Sequence, residues 1–510
     1  MTNNVNSLYK QLLAKTKDLT VLMTAEGIIH WDMETMMPPG AVEQRSLQLS
    51  LLTRINHQMS TDPQIGKLLA AVKAHPDYEA LGQPEKRNIY LTDKAYREQT
   101  SLPEALVAEL AKQEAITVNV WKKAKAKKNF SLFKPDLEKL YGLSKEAAEI
   151  LMKVKETQTP YEALIDNFEP KMTASKITAT FDRLQSGLKQ LVSKIQSSQT
   201  KPETSMLLTP VPVENQRLIA QLLTETLGYD TASPAARGRI DETEHPFTTG
   251  YYDDIRITTH YYPQNFASSV FSVLHESGHA IYEQNLNPKW KYQPVGSTCS
   301  YGVHESQSRF YENVVGRSKE FWMGFMPKLK KAAPSLANVE LDNFMKAVNR
   351  VELSKIRIEA DEVTYNLHVI VRFEIEGDLF ADKIAVSELP QVWNQKYADV
   401  LGVKVQDDSE GVMQDTHWAS GLYGYFPSYA LGNIYSGQIN AAVTRDLPDW
   451  HSQLAKGKLN KLNEWLKRNV HSQSDLYDPE ELIEKATGRK LDSAAYLKYL
   501  NEKYGDIYGF

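Results

Sequence analysis

The sequence predicts a mainly α-helical protein in which one short β segment leads into a helix carrying two histidines, and two patterns predict it. Through most of the first 240 residues, apolar side chains recur at three- and four-residue spacings between charged ones, as in LPEALVAELAKQEAITVNVWKKA and DLEKLYGLSKEAAEILMKV. That period is the mark of amphipathic helices. The rhythm breaks at Gly250 to Tyr262 (GYYDDIRITTHYY), where β-branched and aromatic residues alternate through Ile255, Ile257 and Thr259. This stretch reads as a strand. Pro263 ends it, and helical spacing returns in PQNFASSVFSVLHESGHAIYEQNL.

Within the helical part, Ser101, Pro103 and Glu104 predict a capping box that opens a helix. Pro38, Pro39, Pro135, Pro160, Pro210 and Pro212 mark turns, and no repeat or low-complexity linker divides the chain. A single domain over 1–510 is therefore expected, with a helical part at 1–240 and a second part at 241–510 that holds the strand and the histidine-bearing helix.

Composition narrows the function classes. With 42% hydrophobic and 24% charged residues and a net charge of -5, the chain offers no broad electrostatic footprint for nucleic acid or an anionic membrane. The lysines between Lys122 and Lys128 spread over more than one face of a helix and read as solvated surface. Cys299 is the only cysteine, so there is no intramolecular disulfide framework, which fits a reducing compartment. The opening MTNNVNSLYKQLLAKTK lacks the plan of a signal peptide, and no 18-residue apolar run follows. The expected location is cytoplasmic, without nucleic-acid or membrane partners.

The chemistry concentrates in HESGH. His275 and His279 stand one helical turn apart, which puts both imidazoles on one face, where a single Zn²⁺ can take both. Glu276 follows the first histidine and projects beside the ion, placed to act on its water as a base. Val270, Phe271 and Leu274 give the same helix an apolar face to bury. A structural zinc site closed by four thiolate or imidazole ligands does not fit a chain with one cysteine. The motif lacks a continuation that would bring a third histidine, so a carboxylate is expected as the third ligand. Glu305 begins a new helical pattern 26 residues after His279, enough for a loop through Pro288 to Ser300 and a second, antiparallel helix. Glu283 is the rival, one turn beyond His279 on the same helix.

An ordered set of motifs runs along nearly the whole chain: WDMETMMPPGAVEQR from Trp31, HPF at His245, DIRIT at Asp254, HESGH, HESQ at His304, IRIEAD at Ile356 and GVMQDTHW at Gly411. In this order and spacing the set resembles the carboxypeptidase Taq family of metallocarboxypeptidases. The resemblance implies a large helical fold with a deep central groove and a small β-sheet beside the metal helix, similar to thimet oligopeptidase and angiotensin-converting enzyme. It also implies removal of C-terminal residues from peptides with broad preference, a zinc ion that cobalt can replace, and a homodimer.

The remaining roles follow from what peptide hydrolysis needs. A positioned donor to the tetrahedral oxyanion is worth on the order of 3 kcal/mol. His417 and a tyrosine of GLYGYFPSYALG are the candidates. Tyr429 stands first because its distance after His417 looks like that in the related oligopeptidases, while Tyr423 and Tyr425 read equally well as aromatic packing. An enzyme that reads a free carboxyl terminus needs a cation, for which an arginine fork is the natural partner. Arg357 and Arg256 both stand in family motifs, and each reads equally as half of a buried ion pair, with Asp361 or Asp254. His245 is expected to shape the substrate groove rather than bind metal. The competing readings are an oligoendopeptidase with the same metal site and a silent peptide-binding protein; Glu276 argues against the second, since a binder has no use for a base.

Overall fold

The computed structural model describes residues 4–510, so the first three residues of the opening segment lie outside it. Helices dominate, among them α1 (Val5–Thr35), α2 (Pro63–Lys73), α3 (Gln83–Ser101) and α4 (Glu104–Ala126). Among the described residues, no helix is long and apolar enough to cross a membrane.

Two apolar clusters hold the described residues together. The smaller joins α1, α2 and α3 through Val5, Leu8, Leu12, Ile65, Leu69 and Ile89. The larger runs from Ala124 to Tyr508 and includes residues on both sides of position 240. Asn88 links the first cluster to the rest: its side-chain amide donates to Tyr9 Oη and Gln293 Oε1, and its oxygen accepts from the Val295 N–H, each at 2.8 Å.

The Ser101–Glu104 capping box does not form. Ser101 is the last residue of α3, and its hydroxyl turns back to the Glu98 carbonyl at 2.9 Å. Pro103 occupies the cap position of α4 without a side-chain bond. The cause is local: the residue before a proline is driven out of the helical region, and Leu102 sits at ψ 130°, so one helix must stop before the next begins.

The single strand predicted over Gly250 to Tyr262 is two strands of a three-stranded sheet. β1 (Gly238–Glu242), β2 (Thr248–Tyr251) and β3 (Asp254–Thr259) lie in the order β1-β3-β2, with β1 parallel and β2 antiparallel to β3. The predicted alternation holds in β3 at Ile255 and Ile257, which are buried, but is lost at its end, where Thr258 and Thr259 are both buried. The break before it falls in YYDD, where Tyr252 turns the chain with φ at +50°. The turn signal of Asp253 and Asp254 is masked by the strand-favouring tyrosines before it, and β1 (GRIDE) lacks the usual strand residues, which is why the periodicity missed both.

After β3 the chain enters α5 (Phe266–Gln284), capped by Asn265, whose side chain accepts from the Ser268 N–H. A loop through Pro288 and Pro294 leads to α6 (Tyr301–Arg309), capped in the same way by Ser300, and the chain continues as a wider π-helical turn over Phe310–Val315. Two further helices, α7 (Tyr365–Phe380) and α8 (Phe426–Asp446), complete the surroundings of the site.

Candidate metal centre

Contacts between α5 and α6 run in opposite sequence directions: Glu283 meets His304, His279 meets Glu305, and His275 meets Glu312. The pair is therefore antiparallel, as the loop length predicted. The approach is close because Gly278 has no side chain; a Cβ there would stand 2.5 Å from the Gln307 carbonyl oxygen and 2.7 Å from Ser308 Cα. From the other side α8 closes on α6 at Gly432, where a Cβ would lie 2.7 Å from Glu305 Cγ. Gly278 thus lets α5 meet the α6 backbone at Gln307 and Ser308, while α8 packs on the stem of Glu305 at Gly432. Gly278→Ala should cost about 1–3 kcal/mol through overpacking against backbone and weaken metal binding at least tenfold, read by thermal unfolding of the metal-free protein and by metal titration.

His275, His279 and Glu305 converge, with one candidate donor atom from each lying within 4.8 Å of the others. Glu305 Oε2 stands 3.7 Å from His275 Nε2 and 3.6 Å from His279 Nε2. Both spacings are too long for a hydrogen bond but close to the roughly 3.3–3.5 Å that separates two donors bound to one tetrahedral ion. Two imidazoles and a carboxylate are also the donor set of catalytic zinc sites, so these residues fit a divalent ion. Glu283 does not join them; its carboxylate pairs with His304 Nε2 at 3.0 Å, and the His304 ring stacks on His279 with centroids 4.3 Å apart.

Glu276 lies beside these three residues without joining them. Its Oε2 accepts from the Thr248 hydroxyl at 2.6 Å, so β2 fixes the side chain from outside the helix. Burial pushes its carboxyl above the usual range, against the pull of His275 and the Thr248 bond. Burial alone would also raise Glu305, but Arg309 and the two histidines hold it well below the ordinary carboxylate range. Glu312, which sequence reasoning missed, bonds His275 Nδ1 at 2.9 Å. Its signal was present: seven residues after Glu305, it returns to the same helical face.

A second cluster gathers around His417. Its Nε2 stands 3.2 Å from Tyr429 Oη, and its ring packs on Phe426 at 4.4 Å between centroids. Burial pulls the imidazole down to about 4; Arg357 and Arg372 act in the same direction, with Asp415 opposing. Tyr425 packs among Phe168, Tyr301 and Tyr429. Tyr423 is fully buried against Tyr141 and Phe380 and belongs to the packing.

The two arginines occupy different neighbourhoods. Arg256 is tied to Asp254 by two bonds of 2.8 and 2.7 Å and lies over the Trp31 ring. Arg357 is buried, but its partner is Asp415 rather than Asp361. It also donates to Tyr365 Oη at 2.8 Å and stands 5.1 Å from the centre of the Tyr429 ring. Asp361 instead accepts from the backbone N–H groups of Glu352, Val363 and Thr364. Arg372 bonds the other oxygen of Asp415 at 2.7 Å, so two guanidinium groups share one carboxylate. His245 is exposed in the bend between β1 and β2 and stands outside the triad.

The sequence profile of the carboxypeptidase Taq (M32) metallopeptidases matches residues 11–504. The chain belongs to that family. It is 39% identical to thermostable carboxypeptidase 1 of Thermus thermophilus, over 98% of this chain and 99% of that protein. Carboxypeptidase 1 of Bacillus subtilis is 36% identical over 99% of both chains. Among solved structures, the M32 carboxypeptidase of Deinococcus radiodurans superposes with a TM-score of 0.94 at 36% identity, over 99% of this chain and 100% of that one. Metallocarboxypeptidase 1 of Trypanosoma cruzi gives 0.92 at 31% identity, over 98% and 100%.

If the triad holds the ion, Glu305→Ala should lower metal content together with activity, since it removes one of three protein ligands. Glu283→Gln should leave metal content unchanged. Full occupancy in the Glu305 variant, measured by elemental analysis after dialysis, would overturn the assignment.

Proposed function

We propose that this member of a metallopeptidase family releases amino acids singly from peptide C-termini with broad side-chain preference, using His275, His279 and Glu305 to hold the ion and Glu276 as base. The observation that carries the reading is the convergence of two Nε2 atoms and one carboxylate oxygen, with Glu276 alongside but bonded elsewhere. When bound, the ion supplies a water acidified towards neutrality and a Lewis acid for the scissile carbonyl. Glu276 would be the base that takes a proton from the attacking water and returns it to the leaving amine. Tyr429 and His417 donate to the oxyanion, and Arg357 receives the terminal carboxylate. A cavity of about 510 Å³ beside His304, walled in part by Phe168 and Tyr301, gives the upstream residues of the peptide a place to lie.

The donor set favours zinc as the resident ion, with cobalt able to replace it. The homodimer, the cytoplasmic location and one catalytic domain over 1–510 complete the proposal. Full-length relatives named as carboxypeptidases favour this account over the oligoendopeptidase one. Mass spectrometry of one defined peptide incubated with metal-loaded and chelated protein tests it. Successive loss of single C-terminal residues, abolished by the chelator, is the expected result; two internal fragments would overturn it.

A further inference from the structure

Arg309 stands between two carboxylates that the metal reading gives different tasks. Its Nε donates to Glu305 Oε1 at 2.7 Å, and its Nη1 to Glu312 Oε2 at 3.2 Å. The sequence makes this reach natural, since Arg309 lies four residues after Glu305 and three before Glu312 on a shared face. Its guanidinium is also held over the Tyr365 ring, 4.4 Å from the centroid.

The consequence is that the two oxygens of Glu305 are not equivalent. Oε1 is taken by Arg309, while Oε2 faces both histidines. The Ser308 hydroxyl lies 3.0 Å from Oε2, but its shorter contact, 2.7 Å, is to the carbonyl oxygen of Glu305. To chelate an ion with both oxygens, Glu305 would have to give up a charge-assisted bond inside the protein, where such bonds are about twice as strong as neutral ones. The close approach of α8 at Gly432 leaves its stem little room to turn.

We propose that Arg309 is a positioning residue that restricts Glu305 to one-oxygen ligation and, through Glu312, fixes the ring of His275. One guanidinium would then orient two of the three residues that would hold the ion, Glu305 directly and His275 through Glu312. This rests on the reading that His275, His279 and Glu305 hold the ion.

Cobalt(II) added to chelated and dialysed protein tests it by visible absorption and by titration of affinity. The wild-type protein should give the intense bands of four-coordinate cobalt. Arg309→Met frees Oε1, so the bands should weaken towards a five-coordinate spectrum and affinity should fall about 10- to 100-fold. Arg309→Lys keeps the charge but cannot fork onto both carboxylates, and should show the same change in smaller measure. Circular dichroism of the metal-free proteins shows which variants fold; if Arg309→Met does not, Arg309→Lys decides the question. A wild-type spectrum, with affinity within about threefold, in the folded variants would overturn the proposal. Wild-type cobalt binding in Glu305→Ala would overturn the metal reading beneath it, which is a separate result.

Discussion

Glu276→Gln protein is expected to bind its metal as the wild type does and to turn over peptide at least about a thousandfold more slowly. The substitution keeps the shape of the side chain, and a carboxamide oxygen can still accept the Thr248 hydroxyl that now bonds Oε2 at 2.6 Å. Replacing this buried carboxyl by a neutral group should not harm folding, because burial already disfavours its charge. What the variant loses is a base. Metal content by elemental analysis and kcat/KM on a short peptide check the two halves separately. Turnover within about tenfold of wild type would remove Glu276 from the mechanism.

Much of this centre was legible in the sequence because helical spacing is local. His275 and His279 share a face by arithmetic, and the antiparallel partner followed from the loop length between them and Glu305. Glu312 was legible by the same arithmetic, at seven residues, yet nothing local says that it meets His275 rather than solvent. What could not be read was contact between distant segments. That Gly278 and Gly432 clasp the segment around Glu305 depends on α8, more than 100 residues further along the chain. The partner of Arg357 is a similar case: Asp361, four residues away, is the local choice, but backbone N–H groups claim it, leaving Asp415 to meet the arginine. The hairpin was missed for the opposite reason, since Tyr251 and Tyr252, which ordinarily favour strands, run into the turn and mask the aspartates after them.

Amidating the C-terminus of a peptide substrate should lower kcat/KM by an amount corresponding to about 2–5 kcal/mol, and Arg357→Met should impose a similar loss on the free acid. The basis is the charge count around Asp415. Arg357 and Arg372 both bond it, so the cluster keeps one cation in excess, close to Tyr429 and His417. A terminal carboxylate would balance that charge. The variant is a clean probe because Asp415 retains Arg372, which bonds its other oxygen, so no buried carboxylate is abandoned. The two perturbations remove one interaction, so they should not add: the variant should cleave acid and amide at nearly equal rates. Arg256→Met, whose arginine is already paired with Asp254, should keep the wild-type preference for the acid. If Arg357→Met still discriminates as the wild type does, the carboxylate is read by another group, and Arg256 becomes the residue to test; if the wild type cleaves acid and amide equally well, the terminal charge is not read at all.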